Sequence, residues 1–177
     1  WGLRVNGIMP VLTVITLFIA SWLHGLERYG WKNMGVFFGI TFVVSLFFEA
    51  LSIQTGFPFG HYYYDKLIGP RLFQVPLIIM FAYFSMAYLS WTLSQILLKF
   101  KNRTFIVPFV ATFIMVMWDL CMDPLSSTVA SLWVWPSGGA YYGVPHQNYF
   151  GWFLCVYTIF QLFAFYIFTN ESYYAAP

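Results

Sequence analysis

The sequence predicts an all-α, polytopic integral membrane protein: about five transmembrane helices, with two aromatic Gly/Pro-rich loops on one side. Three observations lead there. Only 8% of the 177 residues are charged and 60% are hydrophobic, whereas a soluble domain carries about a quarter charged residues. Mean hydropathy is +0.71, and a soluble chain of this size could not cover its surface with so few charges. Apolar runs recur along the whole chain at close to the ~20 residues that cross a bilayer.

The runs fall at residues 8–23, 34–53, 75–98, 105–132 and 149–169. The first is short and contains Pro10. The fourth is long, and Pro124 is expected to end or kink it. The first run lacks a small-residue cleavage site, so no signal peptide is expected, and a chain opening on Trp1 has an N-terminus that is processed, trimmed or not observed. No internal repeat or low-complexity linker interrupts the chain, which reads as a single transmembrane domain over residues 1–177. Cys121 and Cys155 sit in apolar runs as small packing residues, and no CxxC pattern suggests zinc or redox chemistry.

The connecting segments differ in character. HGLERYGWKN and KFKNR, after the first and third runs, are short and hold Arg28, Lys32, Lys99, Lys101 and Arg103. The other side holds Arg4, Lys66 and Arg71. The positive-inside rule places the short loops in the cytoplasm and the aromatic loops and N-terminus opposite. In either orientation an even number of spans returns the chain to its starting side. The loops after the second and fourth runs therefore share a side. Glu49, near the end of the second run, and Asp119 and Asp123, near the end of the fourth, approach the same leaflet.

Carboxylates inside membrane spans are costly and mark functional sites by default. Asp119 and Asp123 are four residues apart and share one helix face. Two carboxylates so close in a low-dielectric place do not both ionise comfortably, and a retained proton makes a strong general acid. Structural roles compete: Asp123 before a proline can shape a turn, and Asp119 can bind a neighbouring helix. A metal site built from the carboxylates with His61 or His146 is a further reading. Metal-diphosphate chemistry, however, wants more Lys and Arg than Lys66 and Arg71 supply. His24 falls on the opposite side, at the interface. Arg71 is either a snorkelling charge or the partner of Asp65 or Glu49.

The segment TGFPFGHYYYDKLIGPRL has turn-fixing residues at Gly56, Pro58, Gly60, Gly69 and Pro70. Phe57, Phe59, Tyr62, Tyr63 and Tyr64 offer aromatic faces, as do Trp118, Trp133, Trp135, Tyr141 and Tyr142 beyond. Such faces either anchor a loop at the headgroups or stabilise a carbocation by cation–π attraction. Gln147 and Asn148 either cap the fifth helix or position a water molecule.

Two blocks carry a family resemblance: EALSIQTGFPFGHYYYDKLIGPRLFQVPL, and WDLCMDP followed by WVWPSGGAYYGVPHQNYFGWF. They resemble the CruF-like carotenoid biosynthesis proteins, carotenoid 1,2-hydratases that include bacterioruberin-pathway enzymes. The resemblance spans roughly Glu49 to Trp152. It implies addition of water across the terminal C=C of an acyclic carotenoid end group, without a redox cofactor, in a bacterial or archaeal cell membrane. Asp119, Asp123 and Glu49 become the expected catalytic residues. Phe57, Phe59, Tyr62, Tyr63, Trp118, Trp135, Tyr141, Tyr142, Gln147 and Asn148 become the expected substrate-binding residues. The expected partners are a carotenoid and membrane lipid, with no nucleic acid and no metal. Family members are longer, with additional N-terminal helices, so this chain is expected to lack part of that length. The alternative is a non-catalytic subunit that binds carotenoid within a larger photosynthetic assembly, and a prenyltransferase- or cyclase-like enzyme is a third reading.

Overall fold

The computed structural model describes residues 2–64, 69–99 and 104–169, with side chains from residue 8 onward. Lys66, Lys101, Arg103 and Asp65, one of the partners considered for Arg71, lie outside the described residues, as does the side chain of Arg4. In chain order the elements are α1 (Gly2–Thr55), β1 (Tyr63–Tyr64), β2 (Arg71–Leu72), β3 (Val75–Pro76), α2 (Leu77–Leu97), α3 (Ile106–Asp123), β4 (Trp133–Val134) and α4 (His146–Thr169). A π-helical segment, Pro124–Val129, extends α3.

α1 makes two passes. At Gly30 the backbone leaves the helix with φ 73° and ψ 168°, a conformation open to glycine. In a straight helix Phe18 and Phe38 would stand about 30 Å apart, yet their ring centroids are 5.9 Å apart. Residues 31–55 therefore run back alongside residues 2–29 as a second limb. Five passes result, as the sequence predicts. The connection differs: the charged stretch 24–33 is not an open loop but helix on both sides of a one-residue turn. The limbs approach closely near this turn because Gly25 leaves room for the Met34 side chain.

The other boundaries shift for local reasons. The third pass begins at Leu77 because Val75 and Pro76 pair with Arg71 and Leu72 as a hairpin. Phe73 and Gln74 form its turn with φ of 49° and 69°, the geometry of a tight two-residue hairpin. Pro124 neither ends nor simply kinks the fourth pass. It lacks the N–H that an α-helix needs there, and the chain rewinds as a π-helix, with Ala130 N–H donating to the Leu125 carbonyl. The continuous apolar span becomes Ile106–Val129. The fifth pass starts at His146, directly after Pro145.

In lipid, apolar side chains gain little by leaving the solvent, so helix association rests on close packing and buried hydrogen bonds. Phe37 stacks on Phe163 at 4.1 Å, and Trp91 packs on Phe160, Phe163 and Phe168. α2 packs against α1 and α3, and α4 against α3 and α1, whereas α1 and α3 do not pack closely on each other. The two aromatic loops meet on one side. β1 pairs antiparallel with β4, placing Tyr63 opposite Val134 and Tyr64 opposite Trp133. The span count required this common side.

Candidate active site

A buried polar stripe runs down the second limb of α1: Thr41, Ser45, Glu49 and Ser52. Their helical spacing keeps them on one face. Ser52 sits one turn beyond Glu49 and pins the following loop. Its Oγ donates to the Gly60 carbonyl at 3.0 Å and accepts from the Phe59 N–H at 3.1 Å. Gly151 of α4 lets that loop come close; a Cβ there would lie 2.6 Å from the Phe59 ring. The loop thus folds back over the end of α1 and delivers its tyrosines to Glu49.

Glu49 is 4% exposed and accepts three phenol hydrogen bonds. Tyr62 and Tyr64 donate to Oε2, Tyr64 at 2.7 Å, and Tyr83 of α2 donates to Oε1 at 2.8 Å. Burial, and then the Glu49 carboxylate beside them, pushes the Tyr62 and Tyr64 phenols well above their ordinary values. Both therefore remain protonated donors.

Asp119 and Asp123, 3% and 2% exposed, face inward from α3. Asn148, in the first turn of α4, bridges them: its Nδ2 donates to Asp123 Oδ2 at 2.6 Å and to Asp119 Oδ2 at 3.2 Å. The other Asp123 oxygen accepts from Trp133 Nε1 at 2.8 Å and from Trp135 Nε1 at 3.4 Å. The paired strands thus carry the donors for both halves of the cluster, β1 and the residue before it serving Glu49, and β4 and the residue after it serving Asp123. A carboxylate has about four acceptor positions. Among the described residues, Glu49 and Asp123 each have three occupied, whereas Asp119 has one, which leaves its Oδ1 open to the cavity.

All three carboxylates line a cavity of about 460 Å3, within the usual size range of small-molecule sites. Val14 and Leu17 of the first limb, Ala82 and Met86 of α2, Met115 of α3 and Trp152 of α4 supply apolar wall. The cavity occupies the loop-side half of the bundle, along the gap between α1 and α3. Tyr83 and Trp152 stack at 4.7 Å and 5° to form one rigid side.

The expected site residues separate into three groups. Glu49, Asp119, Asp123 and Trp118 line the cavity. Tyr62, Trp135 and Asn148 stand behind it, bonded to the carboxylates, with the Tyr62 and Trp135 rings 4.9 Å apart. The remainder lie elsewhere: Phe59 is buried against Trp152, while Phe57, Tyr63 and Tyr142 are exposed. Tyr141 packs on Tyr142 and Tyr149. Neither Gln147 nor Asn148 caps α4: Gln147 reaches back to the Gly56 carbonyl at 2.9 Å, and Asn148 turns inward. Arg71 donates to the Tyr64 carbonyl, steadying β1.

Tyr64 and Trp133, candidate aromatic faces left out of the expected substrate-binding set, also line the cavity, as do Tyr83 and Trp152, which the sequence did not single out. The run Tyr62-Tyr63-Tyr64 contained a usable signal, since an extended chain turns alternate side chains to one face. Tyr83 and Trp152 gave none, because apolar residues surround both on every helix face. Among the described residues, no three His, Cys, Asp or Glu side chains are grouped to hold a metal ion. His61 lies against Gly56, and His146 opens α4, exposed.

The family described as carotenoid biosynthesis protein matches residues 6–175. A bisanhydrobacterioruberin hydratase of Haloarcula japonica is 32% identical over 108 residues, covering 60% of this chain and 36% of that protein. The chain thus aligns with little more than a third of that relative's length. No solved structure matches the chain. Because the family match runs through every helix and all three buried carboxylates, the chain belongs to the carotenoid biosynthesis protein family.

Proposed function

We infer that the protein is a carotenoid hydratase that adds water across the terminal C=C of an acyclic end group. The observation that carries this reading is the cavity in which three buried carboxylates from two helices meet apolar and aromatic walls. The hydratase relative supports the same chemistry. The substrate is a lipid-dissolved polyene about as long as the ~30 Å hydrocarbon core is thick. It lies along the gap between α1 and α3 and brings its end group to the carboxylates. The setting is a bacterial or archaeal cell membrane.

Roles follow from the hydrogen bonds. Asp119, with Oδ1 open, carries the proton and gives it to the less substituted alkene carbon. The π electrons form the new C–H bond and leave a tertiary cation. Asp123, held by Asn148 and the two indoles, stays anionic beside it. The faces of Trp118, Trp133 and Trp152 attract the cation. A water molecule attacks the cationic carbon, and its surplus proton passes to the free acceptor position of Glu49 Oε1. The proton then returns through the cluster to Asp119, so the net reaction consumes only alkene and water.

The test is expression in a host that accumulates lycopene, with extracted pigments resolved by chromatography and mass detection. A product heavier by one water is expected. It should disappear in Asp119→Asn, Asp123→Asn and Glu49→Gln while the protein still inserts into membranes. Retained activity in all three variants would overturn the assignment. Unchanged lycopene co-purifying with the protein would instead indicate a carotenoid-binding subunit.

A further inference from the structure

We propose that Ser126 is the positioning residue for the attacking water, a role that rests on the hydratase reading. The cavity presents five hydroxyl side chains, and four are already engaged. Tyr64 and Tyr83 donate to Glu49. Thr13 donates to the Met9 carbonyl and Ser85 to the Phe81 carbonyl, each one helical turn back. The Ser126 backbone carbonyl accepts from Leu132 N–H. Its side-chain hydroxyl makes no hydrogen bond with the described residues.

Ser126 lines the cavity together with all three carboxylates. Ser126 follows Asp123 by three residues in the π-helical segment, and both residues line the same cavity wall. π-Helical turns are rare and frequent at functional sites. An α-helical continuation would also let Ser126 donate to the carbonyl four residues back, as Ser127 does to Asp123 at 2.8 Å. Within this segment Ser127 makes that bond, whereas Ser126, which lines the cavity, does not. A serine hydroxyl both donates and accepts, so Ser126 can accept one proton of the water and turn its lone pair to the cation. The water's other proton faces the Glu49 acceptor position.

A tertiary carbocation has two fates. Water attack forms the C–O bond and yields the alcohol. Loss of a proton from a carbon next to the cation re-forms a C=C bond and returns an alkene. A residue that holds the water decides between them after the acid has acted. The experiment is to express the full chain and its Ser126→Ala and Ser126→Thr variants and to incubate their membranes with unlabelled lycopene in D2O. The ratio of hydrate to alkene carrying enzyme-dependent deuterium at the less substituted carbon of its end group is then measured, against membranes lacking the protein. The ratio is internal, so the amount of folded protein does not move it. Ser126→Ala should lower it about tenfold, the worth of one hydrogen bond of roughly 1.5 kcal/mol, and Ser126→Thr should restore it. An unchanged ratio in Ser126→Ala overturns the proposal while leaving the hydratase reading in place. Failure of the unaltered chain to form hydrate overturns both.

Discussion

Replacing Asn148 with leucine tests the cluster's architecture most directly. The side chains are similar in size, so packing is nearly kept and the amide is lost. That amide makes two hydrogen bonds to carboxylates, at 2.6 and 3.2 Å. A hydrogen bond to a charged group contributes about 1.5–3 kcal/mol. The short bond to anionic Asp123 takes the middle of that range and the longer one to protonated Asp119 the roughly 1 kcal/mol of a neutral bond, for a total of about 3 kcal/mol. For a chain of this length each kcal/mol shifts the melting temperature by roughly 2–4 °C, so Asn148→Leu should melt about 6–12 °C lower. Gln147→Ala provides the scale. It removes one neutral bond to the Gly56 carbonyl at an exposed position, worth about 1 kcal/mol. Both proteins are purified in the same detergent and melted by tryptophan fluorescence, and hydrate yield is measured beside them. Equal losses in the two variants, or full hydrate yield from Asn148→Leu, would refute the reasoning that a shared amide holds the two acids together.

Three other outcomes follow from the same geometry. Trp133→Phe should lower hydrate yield and melting temperature more than Trp135→Phe, because its indole bond to Asp123 is 2.8 Å against 3.4 Å; the reverse order would contradict the account of Asp123. Gly151→Ala should destabilise by about 1–3 kcal/mol through overpacking, since the new methyl meets Phe59 and the Pro58 backbone, and an unchanged melting curve would show that the loop yields freely. The Tyr62 and Tyr64 phenols are raised in the folded state, so their stabilisation is complete below the ordinary value near 10 and is lost as pH rises through the higher folded values. Melting temperature should therefore fall at strongly alkaline pH, and Tyr64→Phe should reduce the size of that fall; an identical alkaline profile in the variant would remove Tyr64 from the account.

The carboxylates were legible because a charge inside an apolar run stands out, and because span parity alone assigns Glu49 and Asp123 to one leaflet. The supporting aromatics were harder to read for the opposite reason. In a chain with 24% aromatic residues, Phe57 at an exposed loop tip and Tyr83 at the cavity wall look alike. A membrane helix is apolar on both its lipid and its protein faces, so periodicity does not identify the inner side of α2 or α4. Strand alternation distinguishes Tyr62 and Tyr64 from Tyr63, but only once the loop is known to be extended. The one-residue turn at Gly30 was hidden because Glu27, Arg28 and Lys32 make the stretch read as a loop. Their charges mark the membrane boundary, and the helix continues through them.

The short ladder between β1 and β4 also bears on how the protein is made. Tyr64 and Trp133 enter the membrane system at different times during synthesis, with α2 and α3 inserted between them. Their pairing requires both passes to be threaded in the correct direction. A chain that failed to insert one of those helices would leave Glu49 and Asp123 stranded on opposite sides of the bilayer, each without its partner loop. Closing the two residue pairs of this ladder therefore requires α2 and α3 to be in place and correctly directed, and only then do Glu49 and Asp123 share a side.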